Sequence, residues 1–248
     1  MALSISIVIC AHNEEHYIAG CIESILNNND GNLLEIIVVD NCSTDRTAEI
    51  ARRYPVKLVQ NDHFLGLTAS RRVGLLHATG NLTAYVDCDN KINPQWFTII
   101  QREFLKSPSL ICLSGPYRYP ELGWAKYWTH RLLNFVFSWA VYMIFGVMLR
   151  GGNFVIRPKC ADDFADVARR TNFHGEDVML AQKFAQRGRC KYVESFWAAA
   201  SIRHFQRTGF FRLMWQYFKD FISIRIFNMF NSCRADQNNW RCTPATEH

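Results

Sequence analysis

Short apolar runs alternate with amphipathic stretches over residues 1–90 of the chain. The first run, residues 5–10, is short, rich in β-branched residues and apolar on both faces, a pattern typical of a strand buried in a parallel sheet. The stretches between the runs carry apolar residues three or four positions apart, as amphipathic helices do. We predict strands over residues 5–10, 35–39, 56–60 and 82–86, and helices that start at Asn13 or Glu14, run from Ser43 or Asp45 to Arg53, and span 66–78.

This alternation predicts an α/β fold with a mostly parallel central sheet and helices on both faces. Ligands of such sheets bind beyond the carboxyl ends of the strands. Asp40 and Asp87 come directly after the second and fourth predicted strands. We therefore expect both carboxylates at one edge of the sheet, where a functional site would lie.

The second half of the chain has a less regular pattern. It predicts helices over residues 94–105 and 175–186, a turn and a strand over 151–156, and a short strand over 191–193. Residues 132–149 are eighteen positions without a charged side chain, long enough for a transmembrane candidate. Residues 210–230 form an aromatic-rich stretch that predicts a long helix.

The composition favours one large domain over a disordered or fibrous chain. Of the 248 residues, 49% are hydrophobic and 20% are charged, and the net charge is +6. That charge suits nucleotide phosphates or acidic lipid head groups, whereas the lack of a long basic tail argues against nucleic acid. None of the nine cysteines forms a Cys-x-x-Cys pair, and the short apolar run at 5–10 does not resemble a signal peptide. We expect reduced thiols in a cytoplasmic protein.

Two acidic pairs are the best candidates for chemistry. In Asp87-Cys88-Asp89, two carboxylates on alternate residues past a strand end can reach one hard cation, which would neutralise a diphosphate leaving group. Asp-x-Asp also arises by chance, so the position after a buried strand is what gives it weight. Glu176-Asp177 opens a predicted helix, where acidic residues are common for dipole reasons alone. A carboxylate there can also act as general base on an acceptor hydroxyl.

Basic residues and one histidine leave two interpretations each. Arg71 and Arg72 lie on the helix after Gly66, and either could bind a phosphate or belong to a solvated helix face. His204 is a candidate third metal ligand, although a single histidine is more often structural.

Five segments of the chain occur in the order and spacing of one family's motifs. They are residues 6–9 with Asn13-Glu14-Glu15, residues 38–47, the helix bearing Gly66, Ala69, Arg71 and Gly74, then Asp87-Cys88-Asp89, and finally Gly175-Glu176-Asp177. Together they resemble family 2 glycosyltransferases, the inverting group with the GT-A fold, over about residues 4–195. Each motif alone is weak, whereas five in order and spacing are specific.

The resemblance implies a UDP- or GDP-sugar donor, an acceptor glycan, glycolipid or polyprenyl phosphate, and Mg²⁺ or Mn²⁺. It implies that Asp40 contacts the nucleobase or its ribose and that Arg71 lies near the diphosphate. The expected donor-binding residues are Ala11, Asn13, Glu14, Asp40, Arg71, Asp87 and Cys88. The expected metal ligands are Asp89, Asp87 and His204, and the expected catalytic base is Asp177, with Glu176 as the fallback.

The resemblance and the pattern of the C-terminal residues together divide the chain into expected parts. Residues 1–200 would form the GT-A domain, with a nucleotide-binding half at 1–90 and an acceptor half at 91–200. Residues 201–248 would form a helical extension that associates with membranes. The processive signature Gln-x-x-Arg-Trp is missing, since Gln206 and Arg207 are adjacent, and this favours transfer of one sugar.

Four positions depart from the family pattern. Cys10 replaces a usual proline, Asn41 and Cys42 replace the second Asp and the Gly of the signature, and Arg72 replaces a common asparagine. The two changes at 41 and 42 leave the base of the donor open.

Three other interpretations were weighed. A dinucleotide-binding oxidoreductase would need Gly-x-Gly-x-x-Gly after the first strand, and no glycine precedes Gly20. A non-catalytic relative that binds a nucleotide or lipid stays open. A single membrane crossing at 132–149 would separate Asp87 from Asp177, so that segment is a core helix or an interfacial one. Residues 203–230 mix basic and aromatic side chains, as does a helix on an anionic surface, although a buried aromatic helix is the alternative. We expect the first, and therefore a protein peripheral on the inner face of the cytoplasmic membrane.

Overall fold

The computed structural model describes residues 2–61, 63–124, 127–129, 131–132, 136, 139, 142–143, 146, 148–158, 161–170 and 176–203. All of them belong to one compact unit. His204 and the predicted helix over 210–230 lie outside the described residues, as does the rest of the expected extension beyond Arg203.

Strands and helices alternate along most of this part of the chain. The strands are β1 (Ile5–Ala11), β2 (Leu33–Asp40), β3 (Lys57–Gln60), β4 (Leu82–Val86), β5 (Lys91–Ile92), β6 (Leu110–Ser114), β7 (Tyr117–Arg118), β8 (Asn153–Ile156), β9 (Arg189–Tyr192) and β10 (Ala198–Ala199). The helices with defined bounds are α1 (Ile18–Asn27), α2 (Thr47–Ala51), α3 (Leu67–His77), α4 (Trp96–Lys106), α5 (Ala161–Arg170) and α6 (Glu176–Arg187).

Seven strands form the main sheet, in the order β3-β2-β1-β4-β8-β6-β9. β1 pairs in parallel with both β2 and β4, and β2 pairs in parallel with β3. Only β8 runs against its neighbours within this sheet, because it is antiparallel to both β4 and β6. A second sheet has the order β5-β10-β7. The mostly parallel α/β architecture predicted from the sequence is therefore confirmed.

Helices cover both faces of the main sheet. Ile5, Ile7 and Ile9 are fully buried on one face, in a cluster that includes residues of α1 and α4. Burying such a side chain stabilises the fold by about 1.5–3 kcal/mol. Val8 points to the other face, where α3 crosses so closely that a Cβ on Gly74 would lie 2.2 Å from Val8 Cγ1.

Helix α1 begins at Ile18, several residues later than predicted. The reason is the polar turn before it, in which Asn13 has a φ of 55°. The N–H groups of Glu14 and Glu15 bond to the side chains of Thr47 and Asp45 and so do not start a helix.

Five elements were not predicted: the two-residue strands β5, β7 and β10, the strand β6 and the helix α5. Strand β6 has only five residues, and helix α5 has few apolar side chains to define a period, among them the buried Phe164 and Val167. Both pack into the second half of the unit, where the pattern of the sequence was least regular.

The uncharged segment 132–149 and the residues before it carry an exposed apolar stripe. The stripe consists of large apolar or aromatic residues that are helical in conformation and at least half exposed: Trp124, Trp128, Leu132, Val136, Trp139, Tyr142 and Met143. On an ideal α-helix, at 100° per residue, these sequence positions would fall within an arc of about 120°. No helix in the described part of the chain is long and apolar enough to span a bilayer.

Candidate functional site

The carboxyl ends of β1, β2 and β4 meet at one edge of the main sheet. Ala11 ends β1 and pairs with Asp40, which ends β2, and Asn41 donates its N–H to the Ala11 carbonyl at 2.8 Å. β4 lies on the other side of β1 and leads directly into Asp87. The edge therefore gathers residues that are far apart in the sequence.

The turn after β1 is tied to the loop after β2. The Asn13 side-chain oxygen accepts hydrogen bonds from the Thr44 N–H at 2.8 Å and from the Thr44 hydroxyl at 3.2 Å. The Glu14 N–H donates to Thr47 Oγ1 at 2.7 Å. These bonds fix the turn after β1. They use the backbone of Glu14 and leave its carboxylate available for other contacts.

Asp40 and Asn41 are buried where β2 ends, at 3% and 6% exposure. Asp40 Oδ1 accepts a hydrogen bond from the Ser43 N–H at 3.1 Å. The Asn41 side chain holds the loop before α3, because its oxygen accepts from the Leu65 N–H at 2.8 Å and its NH₂ donates to the Leu65 carbonyl. Asn41 thus clamps that loop to the strand.

Cys42 stands where the family signature has glycine, and its φ is 61°. This left-handed conformation favours glycine and costs other residues about 1–2 kcal/mol. The Cys42 thiol donates a hydrogen bond to the Asn61 carbonyl at 3.1 Å, which offsets part of that cost.

The buried Arg71 is the centre of an acidic cluster. Its side chain, on α3, is 3% exposed, and its NH1 lies 2.8 Å from Glu176 Oε1 and 3.5 Å from Asp177 Oδ1. Its NH2 lies 3.4 Å from Asp87 Oδ1. Thr68, one turn earlier on α3, donates to Glu176 Oε2 at 2.6 Å. Arg71 therefore joins the carboxylate after β4 to the two that open α6, and the structure directs its guanidinium inward to these carboxylates.

A glycine pair and a tyrosine complete this cluster, and sequence reasoning did not identify them. The Gly151 N–H donates to Asp177 Oδ2 at 3.0 Å. The Tyr117 hydroxyl accepts from the Gly152 N–H at 2.7 Å and lies 3.4 Å from Asp87 Oδ2, to which it donates. A Cβ at Gly152 would lie 1.9 Å from Asp87 Oδ2, so only glycine leaves room for this carboxylate. The adjacent glycines before a predicted strand were the available signal.

Asp89 pairs with a different guanidinium group, that of Arg203. Its Oδ2 accepts a hydrogen bond from Arg203 Nε at 2.9 Å, and both Glu14 oxygens accept from the Arg203 terminal nitrogens at 2.6 Å. The Arg203 guanidinium lies 4.4 Å from the centre of the Tyr17 ring. Between Asp87 and Asp89, the Cys88 side chain is buried, so any contact from this residue to a ligand would come from its backbone.

Desolvation raises the pKa of two carboxylates here. Burial raises the pKa of Asp89 to about 6, with Asp87 adding to the rise and Arg203 opposing it. Desolvation likewise raises the pKa of Asp177 to about 6, against the attraction of Arg71. Both groups remain mostly ionised at neutral pH but have become much better proton acceptors than an exposed aspartate.

The acidic groups suit a hard cation. Five carboxylates of the two clusters face two guanidinium groups, which leaves an excess of three formal negative charges. Among the described residues no three His, Cys, Asp or Glu side chains converge as a ready metal site. Mg²⁺ commonly uses only one or two carboxylates together with substrate phosphates, so Asp87 and Asp89 fit this chemistry.

The structure thus groups most of the predicted residues. Asp87, Arg71, Glu176 and Asp177 form one cluster, and Asp89 and Glu14 form the other. Ala11, Asn13 and Asp40 line the neighbouring strand ends. His204 lies outside the described residues, so its role as a metal ligand stays a prediction.

Comparison with solved structures supports the same fold. The protein is similar to TarS residues 1–349 from S. aureus, with a TM-score of 0.61 and 22% identity over 80% of this chain and 60% of that one. It is also similar to the mannosyltransferase PcManGT from Pyrobaculum calidifontis, solved with GDP-Man and Mn²⁺, with a TM-score of 0.60 and 18% identity over 82% of this chain and 58% of that one. At these identities the likeness establishes the fold alone.

Sequence comparison establishes the family. An uncharacterized glycosyltransferase from Haemophilus influenzae is 33% identical over 120 residues, which are 46% of this chain and 36% of that protein. Chondroitin synthase from Escherichia coli is 32% identical over 137 residues, 53% of this chain and 19% of that protein. The chain thus spans about a third or less of the length of these relatives. The model of glycosyl transferase family 2 matches residues 6–163, well over half of the 248 residues. The chain therefore belongs to glycosyltransferase family 2.

Proposed function

We propose that this protein transfers one sugar from a nucleoside diphosphate sugar to a hydroxyl or phosphate of an acceptor, with inversion at the anomeric carbon. The observation that carries the proposal is the Arg71 cluster. It holds Asp177, a carboxylate with a pKa raised to about 6, in the same ionic network as Asp87, which follows a strand at the ligand-binding edge of the sheet.

The donor is proposed to be a UDP- or GDP-sugar. Solved neighbours with the same fold support this range, since TarS was solved with UDP-GlcNAc and PcManGT with GDP-Man. Asp40, at the end of β2, is the proposed contact for the base or its ribose. The Asn41 clamp on the following loop would shape that pocket.

Mg²⁺ or Mn²⁺ is the proposed cofactor, held by Asp89 and Asp87. When bound, such a cation would neutralise the diphosphate as it leaves. Neighbours solved with Mn²⁺ support the assignment. The excess negative charge at this edge would also repel a diphosphate in the absence of a cation.

Asp177 is the proposed general base. In the proposed mechanism its carboxylate, oriented by Arg71 and the Gly151 N–H, removes the proton from the acceptor hydroxyl. The acceptor oxygen then forms a bond to the anomeric carbon as the bond to the diphosphate oxygen breaks on the opposite face. One displacement inverts the configuration, and no side chain forms a covalent intermediate.

The test replaces Asp177 with Asn, which preserves the shape of the side chain and removes its basicity. Release of nucleoside diphosphate from a panel of UDP- and GDP-sugars would be measured with Mn²⁺, and donor affinity by calorimetry. We expect unchanged affinity and a rate loss of about 10²–10⁴, the range typical for a missing general base. Unchanged turnover at saturation would remove Asp177 from the chemistry, and donor binding without turnover in the wild type would favour the non-catalytic alternative.

We further propose that the acceptor is lipid-linked and that the protein binds the inner face of the cytoplasmic membrane peripherally. The exposed apolar stripe supports this, because three of its seven side chains are tryptophans and one is a tyrosine, and both residue types prefer bilayer interfaces. Arg131 lies beside it, with its guanidinium 5.4 Å from the Trp128 ring centre, and adds attraction for anionic lipids.

Flotation with liposomes that contain anionic phospholipid tests the membrane contact. We expect the wild type to float at low salt and a Trp128→Ser/Trp139→Ser variant to stay behind. The matched control replaces Leu76 and Leu105, which are 60% and 53% exposed on α3 and α4, by serine and should float normally. Equal flotation of both double variants, or none by the wild type, would contradict the membrane proposal.

A further inference from the structure

Arg203 occupies the place beside Asp89 that a divalent cation would need. The Arg203 Nε donates to Asp89 Oδ2 at 2.9 Å, so a positive group already neutralises the carboxylate expected to bind metal. The side chains of Asp89 and Arg203 are only 18% and 25% exposed. Water therefore screens this pair less than it would a surface ion pair.

Glu14 holds the same guanidinium in a stronger geometry. Both of its oxygens accept from the two terminal nitrogens of Arg203 at 2.6 Å, a bidentate arrangement that fixes the plane of the group. The Tyr17 ring supports the guanidinium from a further side at 4.4 Å. Arg203 thus has two fixed supports that do not depend on Asp89, whereas its contact with Asp89 is a single hydrogen bond.

A divalent cation on Asp89 and a guanidinium at hydrogen-bond distance from the same carboxylate would be like charges in close contact. Their repulsion in a partly buried site is strong. Because the Asp89 contact is single and the Glu14 contact is double, the Asp89 contact is the one that can break while Arg203 stays near the site.

We propose that Arg203 is the internal counter-cation of Asp89 in the metal-free protein, and that Mg²⁺ or Mn²⁺ binds Asp89 by displacing Arg203 Nε while Glu14 retains the guanidinium. This inference rests on the metal site of the proposed function. It makes Arg203 the residue that sets metal affinity. After displacement, the Arg203 guanidinium would keep a free N–H group beside the metal. The diphosphate of the nucleotide sugar would be placed to accept a hydrogen bond from this group.

Titration with Mn²⁺ alone, followed by electron paramagnetic resonance of the free ion, tests the competition directly. We expect Arg203→Ala to lower the Kd for Mn²⁺ roughly tenfold in the absence of donor, the factor equivalent to one hydrogen-bonded ion pair of about 1.4 kcal/mol. Arg46→Ala is the control, because it also removes one positive charge and because Arg46 pairs at 3.2 Å with Glu15, the neighbour of Glu14 in the turn after β1. Its Kd should stay within about twofold of the wild type, as expected for an exposed ion pair.

Arg203→Gln serves as a second variant if the alanine variant does not fold, and it should also bind Mn²⁺ more tightly. If the wild type binds Mn²⁺ and the Arg203 variants bind it with the same or lower affinity, this inference is overturned while the proposed metal site stands. Absence of Mn²⁺ binding from the wild type and from both variants would overturn the metal site itself. Mn²⁺ binding by the Arg203 variants but not by the wild type would support the inference, because it would mean that Arg203 excludes the ion from Asp89.

Discussion

Replacement of Gly152 by alanine tests whether the Asp87 carboxylate needs its observed position. The added Cβ would lie 1.9 Å from Asp87 Oδ2 and 2.0 Å from its Cγ. Favourable contacts between such atoms are about 3.5–4.0 Å, so the carboxylate or the glycine backbone must move by roughly 1.5 Å. The contacts of Asp87 with Arg71 and Tyr117 are both already 3.4 Å long and would not survive this shift.

The expected consequence is a loss of catalysis in a protein that still folds. A misplacement of about 1 Å in a catalytic arrangement can cost about 10²-fold in rate, so we expect kcat/KM for donor turnover to fall by at least that factor. Insertion of one methyl group into a packed site usually costs about 1–3 kcal/mol. The assay is nucleoside diphosphate release with Mn²⁺, together with thermal unfolding to verify the fold.

Gly123→Ala provides the matched control. It makes the same chemical change on the same chain, and a Cβ at Gly123 would have no atom within 4 Å. Its activity and Tm should equal those of the wild type. A folded Gly152→Ala protein with activity within about threefold of the wild type would refute the argument, because it would show that Asp87 can move without consequence.

Three further predictions follow from the same network. The proposed base Asp177 would act in its deprotonated form, and its pKa is raised to about 6, so kcat at saturating donor should be constant above that pH and fall about tenfold per pH unit below it; a flat profile down to pH 4.5 would exclude this base. Arg71→Met should lower the free energy of unfolding in urea by roughly 2–3 kcal/mol. This is less than the loss from breaking a fully buried ion pair, because two of the carboxylate partners of Arg71 are partly exposed. Arg72 has no ion pair among the described residues, so Arg72→Met should cost much less. Asp89→Ala should remove Mn²⁺-dependent donor binding in calorimetry and leave the circular dichroism spectrum unchanged; normal turnover of this variant in Mn²⁺ would contradict the metal assignment.

The sequence predicted the parallel half of the fold because β1, β2 and β4 are mostly buried and are therefore mostly apolar. For the same reason the ends of these strands were visible, and Asp40 and Asp87 could be assigned to one edge. The comparisons with known proteins confirm the family and the fold. Helix α5 and strand β6 were missed because neither has a distinct apolar period at its length.

The partners of the charged residues could not be predicted from local pattern. Arg71 was considered as a phosphate ligand or a surface residue, yet it contacts Glu176 from 105 positions away and is buried. Arg203 reaches Glu14 across 189 positions. Such pairs depend on how the second half of the chain packs against the first half. A local segment of sequence carries no information about that packing.

Stereochemistry provides the most direct test of the central claim, that Asp177 and the acidic edge of the sheet carry out a single inverting displacement. In the absence of acceptor, water can replace the acceptor hydroxyl, and ¹H NMR can follow slow hydrolysis of an α-linked nucleotide sugar with Mn²⁺. The account predicts that the free sugar appears first as the β anomer, and that Asp177→Asn slows its release by about 10²–10⁴. First appearance of the α anomer, or equal rates for the wild type and the variant, would contradict it.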